Sequence, residues 1–260
     1  MTVSFSFATD YKDLSAASTP FQSLTFWSGV DDCDITDPNP VRQRCAEVDW
    51  SFLPVLGMHP ILGGMFSQAD VGPGAPRKII LSYGLLQSHF AGDKRIVGKT
   101  LQLDGAPARI AGVLPASFEL PTLQHADLLT PQVILPTALQ PGATRVLRII
   151  GRLKDGVTLE AARAQLVPLF NGILSHVPPP FRKEVQFRVR SMRDRQMEGA
   201  QVASLLILVE FRFLCIEKSA RIESFVAEEF VYVTVELIRT AFGHDVDDRS
   251  RIAAVFRVKR

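Results

Sequence analysis

A serine at a strand-to-helix turn is the first feature that chemistry would use. Ile80-Leu81-Ser82-Tyr83-Gly84 has the outline of a nucleophile elbow, where a sharp turn exposes a serine oxygen for acyl transfer. The first glycine of G-x-S-x-G is missing, because Ile80 stands there, and Ser82 is placed to cap the helix that follows. The cap is the reading taken. Asp32, Asp34 and Asp37 suggest a calcium loop, but neither the glycine nor the terminal glutamate of an EF-hand falls in register. They are read as a solvated acidic loop. The five histidines, His59, His89, His125, His176 and His244, form no HxxxH or HExxH pair, and each is read as a surface or packing residue. Gly57, Gly63, Gly64, Gly72 and Gly74 make neither GxGxxG nor a Walker-type loop, so no phosphate cradle is expected.

Two further groups leave a choice open. Arg148, Arg152, Arg188 and Arg190 could share a basic sheet face that meets an acidic partner, or be ordinary exposed strand residues; the second is preferred. Cys33, Cys45 and Cys215 show no CxxC or Cys/His zinc spacing. Cys33 and Cys45 would bridge only if their strands adjoin in an oxidising compartment, and two partly buried free thiols are expected instead. No catalytic, cofactor-binding or metal-ligating residue is expected, and the chain is read as a non-enzyme.

The elements that position these residues come from an ordinary globular composition. The 260 residues are 47% hydrophobic and 22% charged, with 17 Gly and 17 Pro, which excludes disordered, collagen-like and disulfide-dense classes. A net charge of +2 gives no electrostatic case for nucleic acid. The charge is uneven, at −5 over residues 1–50, +7 over 51–209 and zero over 210–260. Mean hydropathy of +0.13 leans apolar. Yet the longest apolar stretch, residues 202–209, stops at Glu210 and Arg212, short of the roughly 20 residues of a spanning helix. No signal peptide is read at residues 1–8, which lack a basic start.

Periodicity predicts a helix over residues 10–24, broken at Thr19–Pro20, then a strand over 23–30 that ends in the acidic loop 31–37. A second strand is expected over 41–48, a turn or short helix over 51–56, and an ordered loop over 57–76. A buried strand over 78–81 precedes the Ser82 cap, and Asp104–Gly105 marks a hairpin between 99–103 and 108–114. Residues 115–141 stay unassigned. A strand over 146–153, a helix capped by Thr158 and kinked at Pro168, and a strand through Val185, Phe187 and Val189 read as a βαβ unit. The class is α/β or α+β, in two lobes.

Four blocks carry a family resemblance by their order and spacing. They are Phe52-Leu-Pro-Val-Leu-Gly-Met-His-Pro-Ile-Leu-Gly-Gly-Met-Phe66, Ile79-Ile-Leu-Ser-Tyr-Gly-Leu-Leu-Gln-Ser-His-Phe-Ala-Gly-Asp93, Val97-Gly-Lys-Thr-Leu-Gln-Leu-Asp-Gly105 and Ile110-Ala-Gly-Val-Leu-Pro-Ala-Ser-Phe-Glu-Leu-Pro121. Over residues 10 to 209 the chain resembles the MacB-like periplasmic core domain of FtsX-type ABC transporter permeases. Ile149-Ile-Gly-Arg-Leu-Lys-Asp-Gly-Val-Thr-Leu-Glu-Ala-Ala-Arg163 resembles a later block of the same domain.

The resemblance implies a domain outside the cytoplasmic membrane, between the first and second membrane helices of a permease. It implies a porter-like βαβ lobe (residues 1–50 and 142–200) and a small inserted α/β lobe (51–141). It implies no chemistry and no cofactor. The implied role is to transmit conformational change from a separate ATPase subunit to substrates or periplasmic partner proteins. Residues 210–260 depart from the family, which continues into a membrane helix there, and are expected to be a divergent or frame-shifted tail, disordered or loosely docked. A truncated permease remnant follows as one expectation, and a stand-alone soluble binding module is the alternative.

Overall fold

The computed structural model describes residues 2–16, 19–36, 40–72, 74–140, 145–176, 182, 185–194, 196 and 230–238. Strand β1 (Thr2–Phe7), for which the sequence carries no expectation, leads directly into helix α1 (Ala8–Ala16). The helix expected over residues 10–24 ends at Ala16, because Pro20 has no N–H to continue it and biases Thr19 away from helix. Strand β2 (Phe21–Ile35) then absorbs most of the expected acidic loop. Asp32 and Asp34 alternate with buried Cys33 and Ile35, which is the period of a strand and corrects the loop reading. Asp37 lies outside the described residues.

Strand β3 (Val41–Val48) and helix α2 (Phe52–Leu56) fall where expected. The expected loop over 57–76 contains a short strand, β4 (Leu62–Gly63), and a 3-10 turn at Gln68–Val71. Strand β5 (Lys78–Leu81), helix α3 (Tyr83–Phe90), strand β6 (Thr100–Leu103) and strand β7 (Ala106–Val113) follow. The unassigned stretch supplies strand β8 (Leu128–Pro131) and a 3-10 turn at Pro136–Leu139. Strand β9 (Val146–Leu153), helix α4 (Leu159–His176), strand β10 (Val185–Ser191) and strand β11 (Phe230–Ile238) complete a mixed α/β fold.

Part of the sheet closes on itself. β2 pairs with β3, β3 with β8, β8 with β5, β5 with β7, β7 with β6, and β6 returns to β2. A closed ring leaves its members no open edge. Its interior holds Ile35, Ile79, Leu81, Leu103, Ile110 and Leu128, each at most 1% exposed. Burying such a side chain contributes about 1.5–3 kcal/mol.

Closure rests on a few polar contacts around the Ile35–Leu103 pair. Thr36 N–H donates to Gln102 O at 3.0 Å and Asp104 N–H to Asp34 O at 2.8 Å. The Asp104 carboxylate accepts from Asp34 N–H at 2.8 Å and pairs with Arg77 at 3.3 Å. Asp104 and Gly105 both have positive φ (50° and 74°), as a two-residue type I′ hairpin requires. Beside the closure, Cys33 and Cys45 are joined in a disulfide with Cα atoms 5.9 Å apart. The expected free thiols are corrected: with residues 31–35 in β2, Cys33 lies opposite Gln43 and Cys45 opposite Asp31, a diagonal pair in the β2–β3 ladder.

The rest of the sheet runs from β2 to β9 and on to β1, β11 and β10. β9, α4 and β10 form the expected strand–helix–strand unit, with Thr158 Oγ1 accepting from Ala161 N–H at 3.2 Å. β11 lies between β9 and β10 and is antiparallel to both. Residues 230–238 are therefore an integral strand, which corrects the loosely docked tail over that stretch. The other residues of 210–260 lie outside the described set. Leu14 of α1 and Ala162 and Leu166 of α4 pack with Leu147, Ile149 and Val189 over this part of the sheet.

Asp104→Ala removes the acceptor for Asp34 N–H and places a Cβ-bearing residue without a local polar partner in the left-handed region. It should destabilise the fold by about 1–2 kcal/mol, with Asp104→Gly milder, as read from urea midpoints. An unchanged midpoint in the alanine variant would show that closure does not depend on this turn.

Candidate functional site

Ser82 ends β5 and opens α3, and its role is set by the helix. Its Oγ accepts from Leu85 N–H at 3.0 Å, and its backbone N–H donates to Asp127 O at 2.7 Å. Ser82 is 8% exposed. His125 lines the same cleft of about 430 Å³, but its Nε2 is 2.8 Å from Asp127 Oδ1, whose other oxygen accepts from Arg44 N–H. Ser82 is thus a cap in geometry as well as in sequence.

The remaining sequence candidates are dispersed. Asp34 pairs with Arg42 at 3.1 Å on the β2–β3 ribbon. His59 is exposed, His89 packs edge-on against Phe90, and His244 lies outside the described residues, as does the side chain of His176. Gly57 ends α2 at φ 69°, while Gly63 and Gly64 approach Gly112 of β7 so closely that a Cβ on Gly112 would meet Gly64 O at 2.7 Å. Gly72 follows the 3-10 turn, and Gly74 has φ 76°. Among the described residues no cluster of three His, Cys, Asp or Glu side chains could hold a metal ion, and no helix is long and apolar enough to cross a membrane.

The arginines depart from the preferred reading of exposed strand residues. Arg148 donates to Ser28 O at 2.9 Å and Arg152 to Val55 O at 3.2 Å, and both are half-buried. Gly29, at φ 125° on a β2 bulge, leaves room for the Arg148 guanidinium; a Cβ there would lie 2.5 Å from Arg148 Nη1. Arg148 thus ties β9 to the bulge of the neighbouring strand β2, and Arg152 ties it to helix α2. Arg188 and Arg190, also half-buried, line a separate groove against α4.

The geometry brings polar groups together where the chain leaves the β2–β3 ribbon and where it returns. On leaving, Asp49 donates its N–H to Phe26 O at 2.9 Å, and its carboxylate accepts from the N–H and hydroxyl of Ser51. Asp49 is 7% exposed, and burial raises its pKa above the ordinary carboxylate value. Tyr11 of α1 is pushed up to about 12 by burial and by the negative charge of Asp49. On returning, Gln132 N–H donates to Val48 O at 2.8 Å and Arg145 pairs with Glu47 at 2.5 Å. With its amide oxygen turned toward Arg145, buried Gln132 accepts from the guanidinium at 2.7 and 3.1 Å.

Sequence reasoning missed this junction. Asp49 offered only its place at the end of a strand, and nothing local linked Gln132, Arg145 and Glu47. The arrangement positions segments; it contains no nucleophile activated by a base.

Asp49 gives the junction a pH signature. Its raised native pKa means that the folded chain holds the proton more readily than the unfolded chain. That contribution is full below the unfolded value of 3.8 and is lost as pH rises through the folded value. Asp49→Asn should therefore gain stability over the parent as pH rises from about 4 toward about 7, measured by urea unfolding. A stability difference flat across that window would contradict the assignment.

Comparison with known proteins places this geometry in a family. Residues 8–169 match the MacB-like periplasmic core domain. Among solved structures, the chain is similar to the extracellular domain of the noncanonic ABC-type transporter YknZ from Gram-positive bacteria. That match has 14% identity and a TM-score of 0.50, and covers 67% of this chain and 95% of that one. The periplasmic region of MacB from Actinobacillus actinomycetemcomitans gives 18% identity and a TM-score of 0.49, covering 66% of this chain and 75% of that one. A domain of a putative permease from Porphyromonas gingivalis gives 18% identity and a TM-score of 0.47, covering 65% and 77%. At these identities the likeness to YknZ speaks for the fold alone. No curated protein matches the sequence. The family match spans more than half of the chain, and the chain belongs to the MacB-like periplasmic core domain family.

Proposed function

We propose that this chain is the extracytoplasmic domain of an ABC transporter permease and performs no chemistry of its own. It passes conformational change, generated by a separate ATPase subunit and carried through permease membrane helices, to substrates or proteins outside the membrane. The family match over residues 8–169 is the observation that carries this reading. The Cys33–Cys45 disulfide supports the location, since such bonds persist in oxidising compartments outside the cytoplasm.

A domain that relays motion needs bodies that hold their shape and a joint between them. The closed ring around Leu103 and Ile110 suits one body. The helix-covered sheet around β9 and α4 suits the other, with residues 1–50 and 142–200 as a porter-like lobe and 51–141 as the smaller one, β2 and β3 of the first lobe also completing the ring. The joint is then the pair of crossings at Asp49–Ser51 and Gln132–Arg145, where polar contacts can exchange partners more readily than packed side chains.

The full chain can be placed between the first and second membrane helices of a MacB-type permease and reconstituted with that permease's ATPase. Spin labels at exposed Lys12 of α1 and Gln87 of α3 should then report different distance distributions with and without bound ATP. Identical distributions, in a chimera whose ATPase still turns over, would contradict the relay.

A further inference from the structure

The outgoing crossing buries a carboxylate that, among the described residues, meets no cation. Asp49 is 7% exposed, and its carboxylate accepts from the N–H and hydroxyl of Ser51 and from the N–H of Trp50. The elements around it bring no countercharge. α1 supplies Tyr11, β2 supplies the carbonyls of Leu24 and Phe26, and α2 opens with Phe52. The guanidiniums of the adjoining segments are engaged elsewhere: Arg145 with Glu47, Arg148 with Ser28 O and Arg152 with Val55 O. Tyr11, pushed up to about 12, stays neutral near pH 7, so Asp49 is the group here that changes charge.

The turn is built so that it can move by itself. Every donor to the carboxylate belongs to Trp50 or Ser51, so the carboxylate carries its hydrogen bonds with it. Trp50 is 37% exposed, which puts solvent one residue from the buried acid. Val48 and Phe52, both 0% exposed, anchor the chain on either side. An outward move gives up the Asp49 N–H bond to Phe26 O at 2.9 Å and the Ser51 hydroxyl contact with Leu24 O at 3.4 Å. A neutral carboxyl tolerates the seated position; an ionised one with no cation gains by reaching water.

We propose that Asp49 is a proton-operated latch: neutral, it keeps the turn 49–51 seated on β2 beside α1, and ionised, it lets that turn move out to solvent. Burial raises the pKa of the seated acid, so the latch is closed below the folded value and opens as pH rises through it. Its bearing on the relay rests on the reading above, in which this crossing is one half of the joint.

Trp50 is the reporter. Trp27→Phe leaves it as the single tryptophan of the full chain, and acrylamide quenching reads its access to solvent. From about pH 4 to about pH 7 the quenching constant should rise about twofold along a one-proton curve. With Asp49→Asn added, it should stay at the low-pH value throughout. Where Trp27→Phe does not fold, the same comparison is made in chains that keep Trp27, which is 0% exposed and adds a poorly quenched background. Circular dichroism and thermal melting at each pH keep release of the turn distinct from unfolding.

Flat quenching in the folded chain, or an equal rise with Asp49→Asn, overturns the proposal. So does a rise abolished by His59→Gln instead, or one that appears only with loss of circular dichroism. The measurement needs neither permease nor ATPase. A pH-insensitive turn in a domain whose spin labels respond to ATP removes only this inference, and a responsive turn with unresponsive spin labels removes only the relay.

Discussion

The pairing of Ile35 with Leu103 is the contact on which the architecture turns, because it converts a row of strands into a ring. Without it β6 would have no partner on its β2 side. With it, the interior from Ile79 to Leu128 is enclosed by strands all round. The closing contact joins residues far apart in the chain, so its loop-closure entropy must be met by local devices. The Asp104–Gly105 turn presets the hairpin, Asp104 reaches back to Asp34, and the Cys33–Cys45 bond fixes the adjoining end of β2 to β3.

From that closure the sheet continues through β2, which is long enough to pair with β3 and β6 at one end and β9 at the other. One strand therefore serves both the ring and the helix-covered part of the sheet. This continuity gives the crossings at Asp49 and Arg145 their interest. They carry the chain off and back onto a shared ribbon, and their contacts are ionic or polar where the flanking contacts are apolar. Arg148 and Arg152 brace the same region by gripping backbone carbonyls, a role open to a planar donor fork and less suited to a lysine.

Local signals made much of this legible in advance. The strands at 41–48, 78–81 and 146–153 coincide with the structure, as do the Ser82 and Thr158 caps and the Asp104–Gly105 hairpin. The misses share a cause: each depended on what lay across the sheet. Asp31, Asp32 and Asp34 read as loop because their polarity was visible and their pairing with Cys45, Arg44 and Arg42 was not. Once β2 was cut short, the disulfide lost its ladder. Phe230–Ile238 could be strand or helix by pattern alone, and pairing with β9 and β10 decided it. The arginines of β9 share a strand face with buried Ile150, and their acceptors, Ser28 O of β2 and Val55 O of α2, lie far from them in the sequence. The family resemblance came from block order, and it correctly implied a mixed α/β periplasmic core domain.

A domain that works outside the cytoplasm with its ring fastened beside the closure must carry the Cys33–Cys45 bond in the cell. Intact cells can be treated with a membrane-permeant alkylating maleimide, and the peptides bearing the two cysteines then identified by mass spectrometry. The predicted result is a cross-linked pair, alkylated only after reduction. Recovery of Cys33 and Cys45 as separately alkylated peptides before any reductant is added would contradict an extracytoplasmic domain built on this closure.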